Sequence, residues 1–101
     1  MYKIVAMYGQ PKDPEHFRSY YVSKHLPLAA KLPGLLSSSY SFDVQGMGDK
    51  APVFAIWVGE FADEAAAGAA MSSEIGQKVA ADVGNYADGG FTLLQFTAVE
   101  A

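Results

Sequence analysis

The stretch that decides the fold spans residues 13–28 and reads DPEHFRSYYVSKHLPL. Asp13 belongs to the residue types that cap helix N-termini, and Pro14 occupies the first helical position, where its missing N–H is not needed. At about 3.6 residues per turn, one broad stripe of the helix contains Phe17, Tyr20, Tyr21, Lys24 and Leu28. The stretch therefore predicts an amphipathic helix that packs against the rest of the domain.

The far end of this helix is predicted to lie near His25. Pro27 has no backbone N–H, and its ring would clash with the carbonyl of Ser23 in a regular helix. Leu26, which precedes the proline, is expected to leave helical backbone angles. We therefore expect the helix to end or kink here, before a tight turn in which Gly34 supplies a positive φ.

The rest of the chain has the pattern of strands and of one further helix. Strand patterns occur over residues 2–8, 36–44, 53–61 and 91–99. Residues 46–52 form a predicted loop, and Asp63 begins an alanine-rich helix that Ser72 or Ser73 recaps. The order β-α-β-β-α-β is the split βαβ arrangement, so we expect an α+β fold: one ferredoxin-like sandwich domain over residues 1–101.

The predicted strands are largely apolar on both faces. In the first strand, Tyr2, Ile4, Ala6 and Tyr8 face one way, and Lys3, Val5 and Met7 face the other. Two helices on one side of a sheet leave its other face bare, and a large exposed apolar face usually marks an interface. We therefore expect a homodimer in which this face meets the sheet of a second copy.

Composition and charge limit the possible classes of protein. The chain has 101 residues, of which 50% are hydrophobic and 18% charged, as expected for one globular domain. Its formal net charge is −4 and its basic residues are scattered, which argues against binding to nucleic acid. There are no cysteines, so disulfides, thiolate nucleophiles and cysteine metal sites are excluded.

Motifs for membranes, targeting and cofactors are not found in the sequence. No run approaches the ~18 apolar residues of a membrane span, and residues 1–8 lack the pattern of a signal peptide. We therefore expect a cytoplasmic protein without a membrane partner. The glycines form neither a phosphate loop nor a dinucleotide fingerprint, and His16 and His25 match no common metal-ligand spacing. No cofactor and no metal are expected.

The candidate catalytic residues are His25 and Tyr21, one helical turn apart. An imidazole accepts or donates a proton near neutral pH, which suits general acid–base work on a phenol or an enol. Tyr21 could share a hydrogen bond with His25 or flank a ligand. In the structural alternative, His25 only caps free carbonyls beside Pro27.

The predicted pocket lies between the sheet and the helices, with its mouth near the break at Pro27. Its candidate substrate-binding residues are Phe17, Tyr20, Phe42 and Trp57. Such walls suit a small hydrophobic ligand. Aromatic residues at helical spacing usually serve packing, so Tyr20 is also a candidate for the core.

Much of the chain resembles the signature of the EthD family. The resemblance is carried by residues 13–17 (DPEHF), 20–28 (YYVSKHLPL) and 32–35 (LPGL). Residues 73–82 (SEIGQKVAAD) and 85–86 (NY) are similar to the family's second-helix region, although glycine and alanine replace bulkier residues there. The resemblance therefore covers nearly the whole domain.

This resemblance implies a dimeric α+β barrel, in which two ferredoxin-like sheets pack face to face, and that agrees with the predicted homodimer. Related barrels include cofactor-independent monooxygenases, haem-degrading enzymes, muconolactone isomerases and polyketide cyclases. The family takes its name from an association with ether degradation. The resemblance also favours a functional interpretation of His25 as general acid–base and of Tyr21 as the hydrogen-bond partner of a ligand oxygen.

The function hypotheses that follow belong to different classes. The first is an EthD-like protein that binds a small hydrophobic or aromatic metabolite and transforms it by acid–base, cofactor-independent oxygenase, cyclase or isomerase chemistry. The alternative is a non-catalytic accessory or ligand-binding homodimer that supports a degradation pathway. A third is a haem-dependent oxygenase with His25 as an axial ligand. The sequence leaves open whether the chain is an enzyme.

Overall fold

A computed structural model describes residues 1–48 and 53–101, so part of the predicted loop over residues 46–52 lies outside the described residues. The strands are β1 (Tyr2–Tyr8), β2 (Ser37–Ser41), β3 (Ala55–Phe61) and β4 (Phe91–Thr97). They form one 4-stranded sheet in the order β2-β3-β1-β4, and every neighbouring pair is antiparallel. The predicted ferredoxin-like α+β fold is confirmed.

The helices cover one face of this sheet. They are α1 (Pro14–Tyr20), a π-helical turn (Tyr21–His25), α2 (Leu26–Ala29), α3 (Glu64–Ser72), α4 (Glu74–Asp82) and a 3₁₀ turn (Val83–Asn85). The predicted caps are present: the carboxylates of Asp13 and Asp63 and the hydroxyl of Ser73 each accept a backbone N–H of the helix that follows. The three helix starts were therefore predicted correctly.

The first helix was predicted to end or kink near His25. The α-helical bonding is interrupted at residues 21–25, but the helix does not end there and continues to Ala29, and the prediction that Leu26 leaves helical angles is wrong. Leu26 has φ −60° and ψ −43°, and its N–H bonds the carbonyl of Tyr21, five residues back. This π-helical turn displaces the bonding pattern by one residue, and Pro27 then lies in the first turn of a new α-helical segment. At that position a proline needs no N–H partner, so the helix accommodates it.

The tight turn after this helix is confirmed, whereas β2 is shorter than predicted. Gly34 has φ 78°, and the N–H of Leu35 bonds the carbonyl of Leu32 at 3.3 Å. The strand ends at Ser41 because its hydroxyl accepts the N–H of Asp43 at 2.9 Å, a local bond that competes with the sheet.

The core lies between the helices and the central strands β1 and β3. Ala6 of β1 is opposite Trp57 of β3 and Leu93 of β4, so these three side chains share the helix-facing side. The largest fully buried side chains are those of Phe17, Tyr21 and Phe61. We call the continuous helix of α1, the π-helical turn and α2 the first helical segment. It therefore anchors the core through two of its aromatic residues, Phe17 and Tyr21.

The opposite, outer face of the sheet is apolar, as predicted. Its centre consists of the half-buried side chains of Val5, Met7, Ile56 and Val58. On the edge strand β4, Leu94 and Phe96 point the same way and remain 47% and 45% exposed. The apolar outer face is confirmed, and the homodimer that would cover it stays a prediction.

No helix within the described residues combines the length and the apolar character that are needed to cross a membrane.

Candidate functional site

A cavity of about 70 Å³ lies between the sheet and the helices, on the β4 side of β1. Its walls come from the three strands β1, β3 and β4, from the first helical segment and from α4. They are mostly apolar, and they include Ile4, Ala6, Trp57, Val79, Val83 and Leu93. Among the lining residues, His25 and Tyr8 carry side chains that titrate. One histidine therefore faces an otherwise apolar space.

His25 is the last residue of the π-helical turn and is only 3% exposed. Its Nδ1 lies 2.9 Å from Oδ2 of Asp82, the last residue of α4. The structural alternative required His25 to cap a carbonyl beside Pro27. Nδ1 bonds the carboxylate of Asp82 instead. The π-helical turn and the end of α4 together fix the ring.

Asp82 is itself held by further donors. The hydroxyl of Tyr20 donates to its Oδ1 at 2.6 Å, and the amide of Asn85 donates to the same oxygen at 3.0 Å. Burial opposes the negative charge of Asp82, but hydrogen bonds from Tyr20, Asn85 and His25 outweigh it and lower the pKa of this carboxyl. Asp82 is therefore ionised at neutral pH.

The protonation state of His25 follows from this arrangement. Burial lowers the pKa of His25 below its ordinary value of 6.5, and the Asp82 carboxylate offsets only part of that effect. The imidazole is therefore neutral at pH 7. A carboxylate only accepts hydrogen bonds, so Nδ1 carries the ring proton and Nε2 carries the free lone pair.

Nε2 is the ring nitrogen that remains for the cavity. Asp82 is not among the residues that line the cavity, whereas His25 is. The edge of the ring with Nδ1 faces Asp82. In the part of the chain that the structure describes, Nδ1 is the His25 nitrogen that is shown in a hydrogen bond. A neutral imidazole whose lone pair is available is a general base.

Two tyrosine rings, which also contact each other, pack against the His25 ring. Tyr21 stacks on it with ring centroids 5.3 Å apart and 20° between the planes, and Tyr86 lies 4.7 Å away at 59°. The hydroxyl of Tyr86 shares a hydrogen bond of 2.9 Å with that of Tyr8. These contacts restrict the imidazole to one orientation.

Tyr21 lies deep in the protein. It is 1% exposed, and burial raises the pKa of its phenol far above the ordinary value. Among the described residues, its hydroxyl has no hydrogen-bond partner. Tyr21 therefore contacts the catalytic candidate through its ring, and the predicted hydrogen bond between its hydroxyl and His25 is not formed.

Of the predicted site residues, His25 and Trp57 line the cavity, whereas Phe17, Tyr20, Tyr21 and Phe42 do not. Phe17 is fully buried, with its ring 5.0 Å from that of Phe54, and Phe42 packs 6.2 Å from Phe17. These rings fill the β2 side of the core, whereas the cavity lies towards β4. Tyr20 instead directs its hydroxyl to Asp82.

Asp82 is the functional candidate that the sequence analysis did not select. It lies 57 positions from His25, so only the packing of α4 against the first helical segment brings the pair together. One signal was available. An aspartate in the last turn of a helix opposes the helix dipole, which suggests that another interaction stabilises it.

The site offers little to a metal or a large cofactor. No group of three or more potential metal ligands occurs within residues 1–48 and 53–101. Pockets for larger organic ligands usually measure about 300–1,000 Å³. A cavity of about 70 Å³ does not accommodate a haem, so the interpretation of His25 as an axial ligand is not supported.

Comparisons with known proteins agree with the fold. The family profile described as "EthD domain" matches residues 9–90. A relative from Rhodococcus erythropolis, described as an uncharacterized 11.0 kDa protein in the thcB-thcC intergenic region, is 36% identical over 94 residues. The match covers 93% of this chain and 91% of the relative.

Solved structures extend this similarity. An ethyl tert-butyl ether d (EthD) family protein from Bacillus halodurans superimposes with a TM-score of 0.90 at 25% identity, covering 98% of this chain and 99% of that one. The cofactor-independent oxygenase SnoaB from Streptomyces nogalater superimposes with a TM-score of 0.70 at 15% identity, covering 99% of this chain and 94% of that one. A dimeric ferredoxin-like protein from Thermobifida fusca superimposes with a TM-score of 0.71 at 14% identity, covering 96% of this chain and 90% of that one. The last two share the fold.

Proposed function

This chain belongs to the EthD family, and on that premise we propose that it binds a small apolar metabolite in the cavity beside His25 and transforms it by proton transfer. The observation that carries the proposal is the bond of 2.9 Å between His25 Nδ1 and Asp82 Oδ2 at the wall of an otherwise apolar cavity. This arrangement leaves Nε2 as a base within reach of a bound ligand.

The size of the cavity limits the ligand. One water needs about 10–15 Å³ on the same measure, so a cavity of about 70 Å³ holds the equivalent of five to seven waters. A ligand of roughly that number of non-hydrogen atoms fits without rearrangement. Ring compounds the size of phenol and short-chain ketones are examples.

The chemistry of the site is the removal and return of a proton. Nε2 takes a proton from an O–H or from a C–H beside a carbonyl, and the imidazolium that forms is stabilised by the carboxylate of Asp82. Such a step starts isomerisation and cyclisation, and it generates the electron-rich ligand that a cofactor-independent oxygenase needs. His25 is the general base, Trp57 is a wall, and Tyr21 and Tyr86 position the imidazole.

We also propose that the working form is a homodimer. The apolar outer face of the sheet supports this, because Leu94 and Phe96 are about half exposed there. A dimeric relative of the same fold adds support. The ion pair between Lys3 and Glu60, 4.0 Å apart, marks the polar rim of this face.

A second candidate is a non-catalytic ligand-binding homodimer. One observation favours it: among the described lining residues, the polar groups that could stabilise a developing negative charge are limited to those of His25, Tyr8 and the indole N–H of Trp57. Tyr8 already shares its hydroxyl with Tyr86. This candidate predicts that ligands raise the melting temperature without being changed.

Deuterium exchange separates the two candidates. The protein is incubated in D₂O with a panel of phenols and small ketones, and incorporation at carbon is followed by mass spectrometry. Exchange that His25→Ala abolishes supports proton transfer. Ligand-induced thermal shifts without exchange, equal in His25→Ala and the wild-type protein, would replace the first proposal by the second.

A further inference from the structure

The cavity has a negative charge nearby and no positive side chain in its described walls. None of its lining residues that the structure describes is a lysine, an arginine, an aspartate or a glutamate. The carboxylate of Asp82 lies directly behind the imidazole, at 2.9 Å from Nδ1. A ligand that contacts Nε2 therefore has a fixed negative charge one imidazole ring away and no positive side chain in the walls.

The groups that face His25 from the surrounding elements do not change this balance. Tyr21 stacks on the ring, Tyr86 packs against both His25 and Tyr21, and Tyr20 of α1 contacts the ring's partner Asp82. All three are phenols, and those of Tyr21 and Tyr86 have pKa values raised mainly by burial, so they stay neutral. On α4, Lys78 is exposed and pairs with Glu74 at 3.5 Å. Among the described residues, Asp82 is the charged group that the structure shows in contact with His25.

We propose that the cavity selects uncharged ligands with an acidic O–H or C–H and rejects carboxylates, and that the Asp82 carboxylate is the selecting charge. This inference rests on the proposed function, since it concerns the ligand of the same site. An anion in the cavity would meet the charge of Asp82 through a short path of low dielectric, and the described lining residues include no positive side chain to compensate it.

The uncharged acid avoids this cost during the reaction as well. Its O–H or C–H bond breaks, the proton moves to Nε2 of His25, and the electron pair stays on the ligand. The ligand anion then lies beside an imidazolium, whose Nδ1–H still donates to Asp82. The total charge of site and ligand together stays at −1, and the proton returns when the product forms. The ligand is therefore uncharged beside the negative site before proton transfer, and afterwards its anion is paired with the imidazolium.

Matched probes test the selection. Pentanamide and pentanoate have the same chain and differ in charge, and phenol supplies an uncharged acid of similar size. Dissociation constants are measured by NMR titration between pH 8 and pH 5. We expect pentanoate to bind at least tenfold more weakly than pentanamide at pH 8 and to gain affinity as the pH falls. Equal affinity of pentanoate and pentanamide at pH 8 would overturn the proposal.

The role of Asp82 is tested with Asp82→Asn. This variant should bring the ratio of the two dissociation constants at least threefold closer to one. Glu74→Gln removes the same charge from the exposed face of the same helix and should leave the ratio unchanged. A ratio that moves equally in both variants would contradict Asp82 as the selecting charge. If Asp82→Asn does not fold, Asp82→Ser, which also removes the carboxylate, is measured in the same way.

Phenol separates this inference from the proposed function. A ¹⁵N shift of His25 Nε2 when phenol binds supports the general base. If phenol binds without moving that resonance, the base role fails while the charge selection stands or falls on the pentanoate ratio. If phenol moves it and pentanoate binds as tightly as pentanamide, the base role stands and the charge selection is wrong.

Discussion

Nδ1 of His25 lies 2.9 Å from Oδ2 of Asp82, across the contact between the π-helical turn and the end of α4. This bond fixes the tautomer of the imidazole and leaves Nε2 to the cavity. The proposed chemistry depends on this single contact, and most of the expected outcomes below follow from it.

Replacing His25 by alanine should abolish proton transfer while the fold persists. Loss of a general base typically costs about 10²–10⁴-fold in rate. Removal of a buried side chain with one hydrogen bond should lower the free energy of unfolding by roughly 1–3 kcal/mol. Deuterium incorporation and urea unfolding measure the two effects. The exposed His16 supplies the control, and turnover of His25→Ala at the wild-type rate would refute the catalytic role.

Asp82→Asn should lower the pKa of His25 further. The carboxylate now raises that pKa against the effect of burial, and the amide removes the attraction for the imidazolium. An NMR titration of the His25 ring measures the change, with Glu74→Gln as the charge-matched control on the same helix. An unchanged or higher pKa of His25 in Asp82→Asn would show that the ion pair does not govern this ring.

Stability should decrease on acidification through the same pair. Folding lowers the pKa values of His25 and Asp82, so the unfolded chain binds more protons than the folded one. The contribution of His25 to the free energy of unfolding is therefore fully present above pH 6.5, the ordinary pKa of histidine. This contribution is lost as the pH falls towards the folded pKa of His25. The contribution of Asp82 to stability is lost in a second step, as the pH falls below 3.8.

Urea unfolding at pH 7.5 and pH 5.5 measures the first of these losses. The midpoint should fall with pH in the wild-type protein and fall less in His25→Gln, which cannot titrate. Identical pH dependence in the wild type and in His25→Gln would rule out His25 as the titrating group.

The proposed homodimer is tested by charge on its outer face. Phe96→Lys should give a monomer, because it adds a second positive charge directly opposite Lys3 on the face that dimerisation would bury. Val22→Lys is a matched control, since Val22 is also 45% exposed but lies on the helical side. Light scattering at micromolar concentration gives the mass. A monomeric wild-type protein would disprove the dimer.

The local features of this chain could be predicted from sequence, because short-range chemistry determines them. Asp13 and Pro14 identify the helix start, and alternating apolar residues identify β1 and β3. The π-helical turn could not be predicted, since Pro27 in a regular helix is incompatible with continued α-helical bonding. The sequence does not show that one displaced hydrogen bond can remove the conflict.

The site was only partly predictable for a different reason. His25 is recognisable as a titratable residue on a helix, but its partner Asp82 comes close only through tertiary packing. Phe17 and Trp57 are both large aromatic residues, and sequence cannot tell which one fills the core and which one lines a cavity. The two roles depend on where the cavity lies. It lies next to β4, the exposed edge strand of the sheet, and Trp57 reaches it.

The most direct test of the central claim is the ¹⁵N spectrum of the His25 ring at pH 7. The account predicts a neutral imidazole with a protonated Nδ1 and an unprotonated Nε2, which follows from the bond of Nδ1 to Asp82. It also predicts that Nε2 is the nitrogen whose resonance moves when phenol is added. A proton on Nε2 at pH 7, in the other tautomer or in an imidazolium, would contradict the account.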